Sequence, residues 1–126
     1  MISISLYDLL REFAATGTLH VKLDKRKDFY NYGEVTDRMN DADGCFWDIY
    51  APGISFHLPT TRKYKISRIL GVLMLPNGNH KLIVTLAGYN PNWLKFDDDL
   101  NYFISRYRNV YHQDGTYQVL SALQNK

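Results

Sequence analysis

The stretch RILGVLMLPNGNHKLIVTLAGY, residues 68–89, decides how the rest of the chain must fold. It contains two mostly aliphatic runs separated by Pro76-Asn77-Gly78-Asn79. Asn-Gly between β-forming runs predicts a hairpin, because a type I′ turn needs a positive φ at both of its central residues. Nearly continuous apolar runs also favour strands that are buried on both faces. We therefore expect antiparallel strands near residues 63–75 and 80–87 at the centre of a small sheet or barrel.

The N-terminal part of the chain has the pattern of a capped amphipathic helix. Ser5-Leu6-Tyr7-Asp8 is similar to a capping box with Asp in the place of Glu. Gly17 is positioned to end the helix, and apolar residues recur at helical spacing before it, at Leu6, Leu9, Leu10 and Phe13. Residues 19–23 then alternate between apolar and polar side chains, which predicts a strand.

The middle of the chain is predicted from composition and alternation. Residues 29–44 are rich in Asn, Asp and Gly, so we expect them to be mostly loop. Residues 45–50 have the composition of a strand, and Ile54, Phe56 and Leu58 alternate as a further short strand would. Both segments precede the central hairpin.

The C-terminal part is predicted to contain one helix and one strand. Asp97 is expected to cap the helix, whose buried stripe is Leu100, Phe103, Ile104 and Tyr107. Residues 116–120 are expected to form a closing strand. Residues 121–126 are expected to be a frayed tail.

The order of these elements indicates the fold class. At 126 residues, the chain is long enough to bury a core as one domain, residues 1–126, without disulfides or metals. We predict an α+β fold, in which a small antiparallel OB-like β-barrel has an N-terminal helix, residues 1–17, and a C-terminal helix.

The charge distribution points to an anionic partner. Residues 1–60 contain six basic and nine acidic groups, whereas residues 61–81 contain five basic groups and no acidic one. Such a basic stretch indicates phosphate or another anion, or else a solvated strand face. The single Cys45 excludes an internal disulfide framework. Because we find no signal-peptide pattern and no apolar run of membrane-spanning length, we expect a soluble, cytoplasmic protein without membrane association.

Five blocks of the sequence carry a resemblance to a known family. They are Asn31-Tyr32-Gly33, Asp43-Gly44-Cys45-Phe46-Trp47-Asp48, the strand 68–74, Asn79-His80-Lys81-Leu82-Ile83-Val84, and Tyr107-Arg108. In order and spacing they resemble the family I inorganic pyrophosphatases, whose motifs read N-Y-G, D-G-D-P-x-D, R-x-x-G-V-L-x-M, D-x-K-L-(I/V)-x-V and Y-K. The resemblance covers roughly residues 19–120.

The resemblance implies a site that has lost part of its metal-binding acids. In that family, Asp and Glu side chains hold several Mg²⁺ ions that activate a water. The resemblance places Asp43 and Asp48 at metal positions. Cys45 replaces the middle acid of the motif, and a thiol is a poor ligand for Mg²⁺. Asn79 replaces the acid that precedes Lys81.

Four positions of the phosphate-binding type are retained, and the resemblance assigns them to Tyr32, Lys81, Tyr107 and Arg108. In the first strand, His20 stands where a phosphate-binding lysine belongs and Lys22 stands where a ligand glutamate belongs. The family's arginine between that strand and N-Y-G has no clear counterpart.

We therefore predict a pyrophosphatase-like scaffold that binds a phosphorylated ligand or a protein partner, with weak or no phosphoanhydride hydrolysis. Mg²⁺ is implied as a weak cofactor, and no catalytic residue is assigned. One alternative is a diverged Mg²⁺-dependent pyrophosphatase or nucleotide phosphohydrolase. A second alternative is a barrel that binds single-stranded nucleic acid, because residues 62–65 interleave basic side chains with an aromatic one. The sequence also leaves a homo-oligomer open.

Overall fold

The computed structural model describes residues 2–26 and 28–124. The strands are β1 (Ile2–Ile4), β2 (His20–Asp24), β3 (Tyr32–Asn40), β4 (Phe46–Tyr50), β5 (Lys63–Met74), β6 (Lys81–Leu86) and β7 (Thr116–Val119). The helices are α1 (Leu6–Thr16), α2 (Trp93–Asn109) and α3 (Leu120–Gln124). In the described part of the chain, no helix is long and apolar enough to cross a membrane.

The central hairpin forms where the sequence predicts it, although its turn is of a different type. β5 and β6 pair antiparallel, and every residue of β6 is buried. The backbone N–H of Gly78 donates to the carbonyl oxygen of Leu75 at 3.1 Å. Gly78 has a positive φ of 80°, whereas Asn77 does not, so the turn is not type I′. The turn therefore spans residues 75–78, one residue earlier than predicted. Pro76, whose φ is fixed at a negative value, occupies its second position.

Five strands close into a barrel in the order β2-β3-β4-β6-β5, with β5 returning to β2. β1 extends the barrel beside β3, and β7 extends it beside β5. This arrangement confirms the predicted α+β barrel with an N-terminal and a C-terminal helix. The barrel is mixed rather than wholly antiparallel as predicted, because β6 runs parallel to its neighbour β4, and the added strand β1 runs parallel to β3.

Residues 32–40 form β3, so the prediction of a loop over residues 29–44 is wrong there. β3 pairs with β1, β2 and β4, which satisfies its backbone groups despite a polar sequence. Its polar side chains also find partners. Asp37 accepts hydrogen bonds from the Thr36 hydroxyl at 2.8 Å and from the His20 backbone N–H at 3.2 Å. Tertiary pairing thus overrides a weak intrinsic strand preference.

Residues 51–62 form no strand, although Ile54, Phe56 and Leu58 alternate there. The side chain of Asn31 holds this segment instead. Its Nδ2 donates to the Phe56 carbonyl at 3.0 Å, and its Oδ1 accepts from the Leu58 N–H at 2.9 Å. The buried Asn31 amide therefore makes the hydrogen bonds to this backbone that a neighbouring strand would otherwise make.

α1 follows the predicted cap Ser5 and ends at Gly17 as expected, but Ile2–Ile4 pair with β3 as strand β1 and do not belong to the helix predicted over residues 1–17. The Ser5 Oγ accepts a hydrogen bond from the Asp8 N–H at 3.2 Å, and Gly17 ends the helix with a φ of 63°. The Gly17 N–H also donates to the Phe13 carbonyl oxygen at 2.7 Å, so both ends of the helix satisfy backbone groups that would otherwise stay unpaired.

The two C-terminal helices differ from the prediction. α2 begins before the predicted cap Asp97, because the Asn92 Oδ1 accepts from the Leu94 N–H at 3.1 Å and caps the helix there. Residues 121–124, expected in a frayed tail, instead form α3 together with Leu120, which was expected to end the closing strand, and Leu123 is only 1% exposed. Residues 125–126 lie outside the described residues.

Two apolar clusters hold these elements together. The first fills the barrel interior and includes Val21, Val35, Trp47, Ile49 and Leu82. The second lies between the outer face of the barrel and α2 and includes Tyr32, Tyr50, Ile83, Phe103 and Tyr107. Successive strand residues point to opposite faces, so the positions between the interior residues project outward beside α2. The candidate site is on this outer face.

Candidate functional site

A cavity of about 480 Å³ opens on the outer face of the barrel, beside the C-terminal half of α2. Four of the six residues to which the resemblance assigns a role line it: Tyr32, Asp48, Lys81 and Tyr107. They come from β3, β4, β6 and α2 respectively, so only the folded barrel brings them together.

The floor of the cavity is a row of charged residues on three adjacent strands. Glu34 of β3 is directly opposite Asp48 of β4, and Asp48 is directly opposite Lys81 of β6. The neighbours of Asp48 in the chain, Trp47 and Ile49, point into the barrel interior. Strand alternation therefore places this row on the outer face. Side chains directly opposite on paired strands lie close enough to interact.

Lys81 is the most unusual side chain of the site. It is only 3% exposed, and its Nζ lies 2.5 Å from the Asp48 Oδ2. An ammonium group has three donors, and this is its one hydrogen bond to the described residues. The Nζ also lies 5.6 Å from the ring centroid of Tyr107 and 5.9 Å from that of Tyr32. A buried lysine with unused hydrogen-bond donors can bind an anion.

Two tyrosines supply hydroxyl groups beside this ammonium. Burial raises the pKa of Tyr32, and the neighbouring Asp48 carboxylate raises it further. Burial is also the main reason why the pKa of Tyr107 is raised. Both hydroxyls therefore stay protonated at neutral pH and can donate hydrogen bonds to an anion.

A second cation comes from the segment between β2 and β3. The Arg26 guanidinium carbon lies 4.4 Å from the ring centroid of Tyr32, and Arg26 lines the cavity. The motif comparison found no clear counterpart there for the family's arginine. Stacking on a tyrosine ring fixes the guanidinium plane, which can bind a phosphate through two N–H groups.

Three carboxylates also line the cavity, those of Asp24, Glu34 and Asp48. Burial raises the pKa of Glu34, and the nearby Asp48 and Asp24 raise it further. Residues 2–26 and 28–124 nevertheless contain no group of three or more His, Cys, Asp or Glu side chains placed to hold a metal ion. Asp48 is also engaged by Lys81. The residues present therefore do not fit a resident Mg²⁺ site.

Two of the residues with assigned roles lie outside the cavity. The Asp43 Oδ1 accepts from the Cys45 N–H at 2.9 Å, which makes Asp43 a turn residue on an exposed loop. The Arg108 side chain is 61% exposed, and its nearest carboxylate, Asp114, is 3.9 Å away. The structure therefore does not bring Asp43 next to Asp48, nor Arg108 next to Lys81.

The basic stretch 61–81 also separates in the structure. Lys81 lines the cavity, whereas Arg62, Lys63, Lys65 and Arg68 do not. Tyr64, the aromatic residue between them, is buried, and its hydroxyl donates to the Pro59 carbonyl at 2.7 Å. Its ring is therefore not available to stack on a base from solvent, which removes the feature that favoured single-stranded nucleic acid.

The sequence reasoning missed several residues of the cavity. Glu34 was missed because β3 was expected to be a loop, and Arg26 was missed because it belongs to none of the motif blocks. Four further lining residues belong to the turn before β6 or to the segment after α2: Asn77, Asn79, Tyr111 and Gln113. Of these, only Asn79 had been related to the site, as a replaced acid, whereas Asn77 had been given a role only in the hairpin turn.

Comparisons with known proteins do not assign the chain to a family. No family model, no curated protein and no solved structure matches the chain.

Proposed function

We propose that the protein binds a phosphate-containing small molecule in this cavity, directly through Lys81, with little or no hydrolysis. The observation that supports this most is the Lys81 ammonium, which is buried on the cavity wall and uses one of its three donors within the described residues. Burying an ammonium has a large desolvation cost, which Asp48 offsets in part and which a bound anion would offset further. The pyrophosphatase-like motifs point to the same class of ligand.

The other groups of the cavity suit the same ligand. A phosphate at Lys81 would accept hydrogen bonds from the protonated Tyr32 and Tyr107 hydroxyls, and Arg26 would provide a second positive charge. Glu34, whose pKa is raised, takes up a proton more readily than an ordinary glutamate and so lowers the negative charge that opposes the ligand.

The positions of the acidic residues favour weak or no hydrolysis. Metal-assisted phosphoanhydride hydrolysis needs cations held by several carboxylates. Asp43 lies outside the cavity, Asp48 is paired with Lys81, and Asn79 contributes an amide where the family motif has an acid. The alternative is a diverged Mg²⁺-dependent phosphohydrolase, and the carboxylates of Asp24, Glu34 and Asp48 are the observation that supports it.

The test is calorimetric titration with pyrophosphate in the presence of a chelator. Lys81→Met removes the charge and keeps an apolar stem, so binding should weaken about ten-fold or more. Lys63→Met is the matched control, because Lys63 is an exposed lysine of β5 outside the cavity. Equal losses of affinity in both variants would indicate diffuse electrostatic attraction rather than a defined site. No binding by the unmodified protein would contradict the proposal.

Hydrolysis is measured separately, as phosphate release from pyrophosphate with Mg²⁺ or Mn²⁺. We expect turnover orders of magnitude below the usual enzymatic range of about 1–10³ s⁻¹. Turnover within that range would favour the enzyme alternative.

A further inference from the structure

The cavity extends beyond the group that surrounds Lys81. Its volume of about 480 Å³ lies within the range of about 300–1,000 Å³ that is typical of pockets for organic ligands. A second set of residues, consisting of amides and an aromatic ring, lines the part outside the charged row: Asn77, Asn79, Tyr111 and Gln113. Phosphate and pyrophosphate contain no planar group that could stack on an aromatic ring.

The segment that follows α2 is folded back to bring two of these residues to the cavity. The Gln113 N–H donates to the Tyr107 carbonyl at 2.9 Å. His112 adopts a positive φ of 53°, a conformation that is strained for a residue with a side chain. Strain of this kind is often found at ligand sites, where the surrounding structure maintains it. Here it accompanies a backbone path that places both Tyr111 and Gln113 on the cavity wall.

Gln113 has an unmet hydrogen-bonding requirement. Its side-chain Oε1 is buried and accepts no hydrogen bond from the described residues. An unpaired buried acceptor is costly, and a rotation of this half-buried side chain would turn the oxygen towards a donor on a ligand in the cavity. Ionised phosphate groups offer only acceptors, so a ligand that donates to this oxygen would do so through an N–H or O–H of its organic part.

Tyr111 offers a surface on which a planar group can stack. Its ring packs against Tyr107 with the centroids 4.9 Å apart, and the residue is still 41% exposed. Tyr107 also belongs to the second apolar cluster, which fixes the position of the pair. Aromatic side chains held in this way bind nucleobases through their faces.

We infer that the ligand is a nucleotide, with its phosphates at Lys81 and its base against Tyr111 and Gln113. This inference rests on the proposed phosphate site and adds the organic half of the ligand. The base supplies the planar ring for Tyr111 and an exocyclic or ring N–H for the Gln113 Oε1. Asn77 and Asn79 lie in the same cavity and can donate to or accept from the sugar or the base.

The test compares organic and inorganic ligands on the full chain. Calorimetric titrations use ADP, GDP, UDP and CDP, with pyrophosphate and ribose 5-phosphate as references, all with a chelator present. At least one nucleoside diphosphate should bind about ten-fold more tightly than pyrophosphate, the contribution expected of one stacked and hydrogen-bonded base.

Variants assign this difference to residues. Tyr111→Ala and Gln113→Leu should each weaken the binding of the nucleoside diphosphate far more than the binding of pyrophosphate, and so remove most of the preference for the nucleotide. Tyr111→Phe keeps the ring and should keep the preference. Tyr102→Ala is the control, because Tyr102 is an exposed tyrosine of α2 that lies outside this cavity. Thermal unfolding of each variant verifies that it is folded.

The outcomes separate the two proposals. Pyrophosphate binding without a tighter nucleoside diphosphate would overturn the nucleotide inference and leave the phosphate site in place. Ribose 5-phosphate binding as tightly as the best nucleotide would also overturn it, in favour of a sugar phosphate. If no phosphate compound binds, both proposals are wrong.

Discussion

Replacing Asp48 with Asn distinguishes direct phosphate binding from metal-assisted binding. The Asp48 Oδ2 lies 2.5 Å from the Lys81 Nζ, so the carboxylate and an incoming phosphate compete for the same ammonium. An amide of similar shape keeps a hydrogen-bond acceptor for Lys81 and removes the negative charge. We therefore expect Asp48→Asn to tighten the binding of pyrophosphate when no divalent cation is present.

The size of this gain follows from Coulomb's law. A phosphate oxygen on Lys81 would lie roughly 5 Å from the Asp48 carboxylate, where two unit charges repel by about 3 kcal/mol at an effective dielectric constant of about 20. The Asp48 side chain is 18% exposed, so solvent and counter-ions reduce that repulsion. We expect a net gain of about 1.4 kcal/mol, or about ten-fold in affinity.

The same substitution should destabilise the fold. The Lys81 side chain, which is 3% exposed, loses the one negative group with which it forms an ion pair in the described part of the chain. Leaving a buried charge without its partner costs about 1–3 kcal/mol. Urea unfolding monitored by tryptophan fluorescence measures this loss. A variant that is less stable but binds more tightly identifies Asp48 as a competitor of the ligand.

Calorimetric titration with pyrophosphate in a chelator measures the affinity. The control is Asp98→Asn, which removes one negative charge from an exposed position of α2 outside the cavity and should change the affinity little. Weaker binding by Asp48→Asn, or a dependence on Mg²⁺ that the substitution removes, would refute the competition argument. Asp48 would then be a metal ligand.

Three further substitutions test other parts of the account. Glu34→Gln should raise pyrophosphate affinity at neutral pH and flatten its pH dependence, because burial and the nearby acids raise the pKa of Glu34 and its protonation at lower pH otherwise strengthens binding. Asn79→Asp adds a fourth carboxylate to the cavity and should produce Mn²⁺ binding that calorimetry detects. Leu123→Ala should reduce the free energy of unfolding by about 2–4 kcal/mol, because the Leu123 side chain is buried under α3.

Each of these substitutions has its own control. Titrations of Glu34→Gln and the unmodified protein over the same pH range separate the titration of Glu34 from that of pyrophosphate, and parallel curves would contradict its role. Cys45→Asp should not add to metal binding, since Cys45 lies outside the cavity, although the motif comparison places an acid there. Val119→Ala, at a half-exposed position of β7, should cost less than about 1 kcal/mol. A similar small loss for Leu123→Ala would restore the frayed-tail prediction.

The parts of the fold that local signals determine were predictable. The Asn77-Gly78 turn between aliphatic runs gave the central hairpin, and Ser5 and Gly17 gave both ends of α1. β3 was not predictable in the same way, because its sequence is polar and its stability comes from strands on both sides. The strand expected at residues 54–58 failed for a related reason, since the side chain of Asn31 pairs with that backbone.

The candidate site was predictable only in part. In the Asn31-Tyr32-Gly33 block only Tyr32 lines the cavity, and Asn31 and Gly33 have structural roles. Gly33 is needed because a Cβ there would lie 2.1 Å from the Lys22 carbonyl oxygen. Motif order placed Asp43 in the site, yet the local turn with Cys45 holds it away. Cross-strand register, which the sequence does not state, is what adds Glu34 to the charged row.

The central claim is that the cavity binds a phosphate group directly through Lys81, without a metal ion and without efficient turnover. The most direct measurement titrates the unmodified protein with pyrophosphate, first in a chelator and then with Mg²⁺, and follows phosphate release in the same samples. The account predicts saturable binding of one ligand per chain in the chelator, with turnover far below about 1 s⁻¹ in either condition. No binding in the chelator, together with turnover of about 1–10³ s⁻¹ in Mg²⁺, would contradict it.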